Sequence, residues 1–215
     1  MQKKHKGLWV QMVTAAMLLC SGVVATQAAA AGRAYLRADG HWIQDYYDPV
    51  NRPFLDLVTH AHIVKMEIRY KEGRYQRAMD DLRYTVAHVP NHPYALKKGV
   101  EVCQVKPHFL KCKEVTKWFE DAIDWTPKEP NAYALYGLHL HNLGQLDEAM
   151  KKYKMAISLR PSLNDAHYNL ALIYLEREEY QEATKHAETA YQLGHRSNGL
   201  RNSLVAKGFM SASGN

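Results

Sequence analysis

The chain repeats itself at a spacing of 34 residues, and that period constrains the fold more than anything else in it. Shifting the stretch Pro130 to Pro161 by 34 places Tyr133 on His167, Gly137 on Ala171 and Leu140 on Tyr174. Further along, Leu146 falls on Tyr180, Ala149 on Ala183 and Ala156 on Ala190. Within each copy apolar residues recur at three- and four-residue steps, which puts one apolar stripe on each of two short helices. Such a unit cannot bury its stripe alone and must stack on its neighbours. The small residues set the spacing. Gly137 and Ala171 let the first helix of a pair approach the second, Ala149 and Ala183 do the same from the other side, and a bulky residue there would force the pair apart. Gly144 breaks the chain between helices and Pro161 stops the second one.

Two weaker copies precede these. Over 59–90, Glu72-Gly73 marks the break, Tyr75 and Ala78 stand where Leu146 and Ala149 stand later, and Pro90 closes the second helix. Met66 occupies the place of Gly137 and Thr85 that of Ala156. Helices are expected from about Val58 to Tyr70 and from Tyr75 to His88. Over 91–127, Phe119 and Ala122 take the places of Tyr153 and Ala156, counting back from Pro127. The first helix there, from Pro93 to about Gln104, has no settled register, because Lys97 and Lys98 sit where an apolar and a small residue are expected. Pro107 cannot sit inside a helix, so Val105-Lys106-Pro107-His108 makes a longer turn.

The ends do not repeat. The segment 32–57 is dense in aromatics and interrupted by Pro49 and Pro53, and reads as an N-terminal cap with Trp42, Tyr46 and Tyr47 laid over the first hairpin; the sharper reading is an aromatic partner contact. Ser197-Asn198-Gly199 turns into a short capping helix over 196–207, and 208–215 reads as a flexible tail. Residues 1–31 have the layout of a secretory signal peptide: Lys3, Lys4 and Lys6, an apolar run from Val10 to Ala25, then small residues with a cut near Ala30 or Ala31. The run is shorter than the ~20 residues a bilayer span needs, so no membrane span is expected after cleavage. Leu18-Leu19-Cys20 lacks the small residue a lipoprotein signal wants before its cysteine. The expected location is periplasmic or secreted.

Removing that segment takes away three lysines and no acids, so a formal charge of +6 becomes +3. That is too weak for a nucleic-acid partner, which needs basic residues gathered on one face. Cys103 and Cys112 are the two cysteines left, flanking the long turn of the second copy. In an oxidising compartment they read as a disulfide, against the alternative of two free buried thiols.

Reactive constellations are not legible. There is no GxSxG, no phosphate-binding glycine loop, no dinucleotide fingerprint and no CxxCH, and no enzyme is expected. The carboxylates at Asp80-Asp81 and Glu178-Glu179 read as solvated. Eleven histidines outside the leader invite a metal reading, yet His60/His62 and His139/His141 are two apart and point to opposite sides of a helix. Glu182 and His186 have the i, i+4 spacing but read as a surface pair. No metal or cofactor is expected.

The pattern over about 59–90, 91–127, 130–161 and 164–195 resembles the tetratricopeptide repeat family, and its exported members from Gram-negative envelopes in particular. The resemblance implies an all-α, right-handed superhelical solenoid of about four helix-turn-helix hairpins with capping segments. It also implies an adaptor or scaffold role in assembling envelope complexes. In that family the first helices line a concave groove that takes an extended peptide or a partner helix. Carried onto this chain, the groove comprises His60, Ile63, Glu67 and Tyr70; Asn131, Ala134, Leu138, His141 and Asn142; and Asp165, Tyr168, Asn169, Leu172 and Glu176. Members that grip a C-terminal carboxylate use lysines, an arginine and asparagines there. Only Asn169 matches, while Asp165 and Glu176 repel a carboxylate, so an amphipathic helix or apolar peptide fits better. A carrier of metal or a small ligand through histidines is the alternative.

Overall fold

The computed structural model describes residues 35–36, 42–106 and 112–211. The leader read at 1–31, the Pro107-His108 turn and the last four residues of the tail lie outside them. Tyr35–Leu36 (β1) pairs antiparallel with Trp42–Ile43 (β2), a two-residue ladder beside an otherwise helical chain. A 3-10 turn over Pro49–Asn51, capped by the Asp48 carboxylate accepting from the Val50 N–H at 3.0 Å, leads into α1 (Arg52–Val58). A π turn, Thr59–Ile63, joins α1 to α2 (Val64–Lys71) without a break. The first helix thus starts well before Val58, because Pro53 occupies its opening turn, where a missing N–H costs nothing.

The π turn has a packing cause. The buried residues are Leu55, Val58, Ile63 and Met66, and the step from Val58 to Ile63 is one residue longer than an α-helix face allows. Inserting one residue puts Ile63 rather than His62 into the core.

The remaining helices are α3 (Tyr75–His88), α4 (Pro93–Val105), α5 (Cys112–Trp125), α6 (Pro130–Asn142), α7 (Leu146–Leu159), α8 (Asn164–Glu176), α9 (Tyr180–Gln192) and α10 (Gly199–Ala206). Pairs α2/α3, α4/α5, α6/α7 and α8/α9 are hairpins. Each second helix also packs on the next first helix, and α4, α6 and α8 touch in succession, so the hairpins stack as a tetratricopeptide-type helical solenoid. No helix among the described residues is long and apolar enough to cross a membrane.

Three of the hairpin turns share a left-handed residue at the same place. Gly73 and Gly144 adopt φ of 71° and 73° after the first helices of the first and third hairpins, a left-handed conformation that glycine takes without steric cost. The fourth hairpin puts Glu178 in the same place at φ 61°. Close approach is set by small side chains. A Cβ at Gly137 would stand 2.8 Å from the Tyr153 ring, and one at Gly99 would stand 2.8 Å from Trp118. Ala149, Ala156, Ala171, Ala183 and Ala190 are fully buried.

Three expectations shift. Tyr46 packs on His92 with ring centroids 4.8 Å apart, and the Gln44 N–H bonds the His88 carbonyl at 2.8 Å, so the N-terminal segment covers the α3–α4 turn; the Trp42 side chain lies outside the described residues. Gly208 to Ser211 is not a free tail: Phe209 stacks on Tyr180 at 4.7 Å, and its carbonyl accepts from Thr184 Oγ1 at 3.2 Å. Asp81 is 6% exposed instead of solvated, held by Arg69 with His62 at 3.5 Å.

Cys103, near the end of α4, and Cys112, at the start of α5, form a disulfide with Cα atoms 5.6 Å apart. Closing so short a loop restricts the unfolded chain by about 2–3 kcal/mol. Replacing both cysteines by serine is therefore expected to lower urea-unfolding stability by about that amount while leaving helical circular dichroism intact. An unchanged urea midpoint would show that the bridge is energetically idle.

Candidate functional site

A trough of about 550 Å³ runs across the first helices of the second, third and fourth hairpins. Its walls are Pro93, Tyr94 and Lys97 from α4, Asn131, Ala134, Leu135 and Leu138 from α6, and Leu163, Asp165 and Asn169 from the edge and face of α8. Repetition builds it. Pro93 and Pro130 each stand in the first turn of their helices, so Tyr94 and Asn131 are equivalent positions, and the 34-residue period carries Asn131 to Asp165. One row across three helices thus reads Tyr94, Asn131, Asp165. Lys97 and Ala134 form the start of a second row.

Five residues that the resemblance placed in a groove share this trough: Asn131, Ala134, Leu138, Asp165 and Asn169. The others sit elsewhere. Glu67 receives the Tyr94 hydroxyl and lies 3.1 Å from Lys98 Nζ; the Tyr94 bond holds its carboxyl below the ordinary range. Burial, and then the Glu67 bond, push the Tyr94 phenol up to about 12. Tyr70 lies edge-on to Tyr75 at 5.6 Å, with Lys98 Nζ 5.2 Å from its ring centre. His141 Nε2 and Glu176 Oε1 are 2.9 Å apart and join α6 to α8. Tyr168 is stacked under His195 at 3.8 Å, and its hydroxyl bonds Ser197 Oγ at 3.0 Å. Leu172 is half-buried, while His60 and Asn142 are exposed outside the trough. Ile63 is a correction. It is 7% exposed and belongs to the core, because the π turn rotates Val64, 46% exposed, into the outward position.

Sequence reading missed Tyr94, Lys97, Leu135 and Leu163. The signal for the first two was present in the prolines that open α4 and α6. It was obscured because Gly99 lies six residues after Pro93 whereas Gly137 lies seven after Pro130.

The histidine pairs separate as helix geometry requires. His62 stacks on Tyr84 at 3.9 Å while His60 faces solvent. His139 is 1% exposed with Nε2 3.0 Å from Thr116 Oγ1, on the other side of α6 from the His141–Glu176 pair. His92 caps α4, its Nδ1 accepting from the Ala95 N–H at 3.2 Å. His186 meets a further histidine, His167, with Nδ1 atoms 3.0 Å apart, while the Glu182 carboxylate lies 3.7 Å from Lys185 Nζ. Among the described residues no group of three or more His, Cys, Asp or Glu side chains is gathered for a metal ion.

Residues 137–177, from mid-α6 to just past α8, match the family model for the TPR repeat. No curated protein matches the chain in sequence. Among solved structures, pilF of Pseudomonas aeruginosa superposes with a TM-score of 0.56 at 19% identity, over 71% of this chain and 70% of that one. TTC0263, a thermophilic TPR protein of Thermus thermophilus, superposes at 0.52 with 19% identity, over 66% and 76%. At these identities the likeness is one of fold. Together with the matched repeat, it supports a helical solenoid of the tetratricopeptide repeat type.

Burial sets an acid limit on this scaffold. Loss of hydration pushes His92 and His139 each from 6.5 down to about 4, and burial followed by the neighbouring His167 does the same to His186. Between pH 6.5 and about 4 the unfolded chain binds protons that the folded one refuses. The contribution is therefore complete above that window and falls as pH drops through it. For the nearly fully buried His92 and His139, the loss is on the order of a few kcal/mol. Urea midpoints measured at about pH 7, 6 and 5 should decline, and the decline should be shallower in His139→Gln; a flat series would refute it.

Proposed function

We propose that this chain is a non-catalytic adaptor that holds a segment of a protein partner in the trough between α4 and α8. The row Tyr94, Asn131, Asp165 over a floor of Ala134, Leu135 and Leu138 carries this reading. Three successive helices offer the equivalent position, which suits a ligand that is itself regular, an amphipathic helix or an extended apolar peptide. Asn169 supplies a donor and an acceptor for backbone groups beside Asn131, whose Oδ1 already accepts from Arg160 Nη1 at 3.4 Å, and the leucines supply apolar area. Asp165 in the trough wall disfavours a free carboxylate terminus. Proteins built from this repeat are generally interaction modules without a reaction of their own.

The decisive experiment is a photo-crosslinking side chain placed in cells at Leu138, with exposed Met155 of α7 as the control position. A discrete partner adduct from Leu138 and none from Met155 is expected. Adducts of equal yield from both, or from Met155 alone, would place the partner elsewhere.

We further propose that the adaptor works outside the cytoplasm, in assembling an envelope complex. The reading rests on the lysines at 3, 4 and 6, the apolar run to Ala25 and the small residues ending at Ala31. A disulfide-bonded pair in the mature part agrees with an oxidising compartment. N-terminal sequencing of protein recovered from an envelope fraction should begin at Ala31 or Gly32. Recovery of the intact Met1 terminus, or of the protein from cytosol alone, would overturn the assignment.

A further inference from the structure

His167 of α8 and His186 of α9 face each other across the fourth hairpin, with Nδ1 atoms 3.0 Å apart. His167 Nε2 lies 3.1 Å from the Pro161 carbonyl. A carbonyl only accepts, so Nε2 carries a hydrogen, and in the neutral ring His167 Nδ1 then presents a lone pair. That is the arrangement in which a backbone oxygen fixes the tautomer of a metal-ligating imidazole. His186 completes the contact only by donating from its own Nδ1, and its ring lies parallel to Tyr174 at 5.7 Å, which limits its rotation.

We propose that His167 and His186 form a two-imidazole site for a divalent cation of the zinc class, closing across the two helices of the fourth repeat. Two nitrogens each about 2.0–2.1 Å from one ion, at angles between square and tetrahedral, lie about 2.9–3.4 Å apart, and the observed separation falls in that range. On binding, His186 releases its Nδ1 proton and takes one at Nε2, so both rings stay neutral and no net proton is lost. Among the described residues no third His, Cys, Asp or Glu side chain is gathered with the pair, so water fills the remaining positions; the Glu182 carboxylate, one turn before His186, lies 3.7 Å from Lys185 Nζ instead. Lys154 and Lys185 also bear on His186 with positive charge. They disfavour magnesium and calcium, whose sites are built from oxygen, more than ions with an intrinsic preference for imidazole. The site is independent of the trough, so a failed crosslink at Leu138 leaves it standing.

The test is calorimetric titration of the purified mature protein with Zn2+. Stoichiometric, saturable binding is expected, lost in His186→Gln. No uptake by the folded wild type, or the same affinity in His186→Gln, overturns the proposal. Should His186→Gln fail to fold, Cu2+-induced broadening of NMR signals in the unmutated protein decides. Broadening at the His167 and His186 rings supports the site, and broadening confined to the exposed histidines, such as His60, overturns it.

Discussion

The contact between Gly137 and the ring of Tyr153 is the tightest statement of what this solenoid depends on. With a Cβ position only 2.8 Å from that ring, α6 and α7 lie closer than any side chain between them would allow. The ring is fully buried, and its hydroxyl has no partner among the described residues. Leaving that hydroxyl unpaired costs about 1–3 kcal/mol. Burying the ring removes roughly 150–250 Å² from water, worth about 4–6 kcal/mol, so packing outweighs the lost hydration. The fully buried alanines at 149, 156, 171, 183 and 190 extend the same spacing through two hairpins. Because each second helix also leans on the next first helix, one spacing error would propagate along the stack.

The trough follows from that stacking. Helices α4, α6 and α8 touch in sequence, so side chains in the first turn of each line up as a row. What varies along the row is chemistry, not position. A tyrosine bound to Glu67, an asparagine and an aspartate occupy it in turn, over leucine and alanine. The far end is not open: His195 stacks on Tyr168 and its Nε2 lies 3.6 Å from Asp165. The turn that follows α9 therefore limits how far a bound segment can extend past the fourth hairpin.

Most of the helical frame was legible because it rests on periodicity. The 34-residue shift fixed α6 to α9, and glycine and proline fixed their ends. Half-legible features were those in which a neighbour changes the register. The π turn at Thr59–Ile63 advances α2 by one residue, and no local signal in THAHI announces it; the cause is the apolar spacing Val58 to Ile63, visible only once the buried face is known. Ile63 was placed in a groove for that reason. Asp81 reads with Asp80 as part of a solvated helix face, yet Arg69, twelve residues away, draws it inward. Tertiary pairing of this kind has no period to betray it.

The second hairpin shows how far the pattern bends before the packing fails. Gly99 stands one place earlier in α4 than Gly137 does in α6. Trp118 likewise stands one place earlier in α5, six after Cys112, than Tyr153 in α7, seven after Leu146. Both partners have moved together, so the close approach of 2.8 Å is preserved with a larger ring. The cost falls on the connection, which spans 106–111 where the third hairpin needs only 143–145. Doubling a loop costs about 0.6 kcal/mol in closure entropy, and the Cys103–Cys112 bridge across that loop returns about 2–3 kcal/mol. The disulfide therefore does more than offset the longer turn. It ties together a hairpin whose register has slipped, and α4 still packs on α6, where Tyr94 and Lys97 line the trough with Asn131 and Ala134.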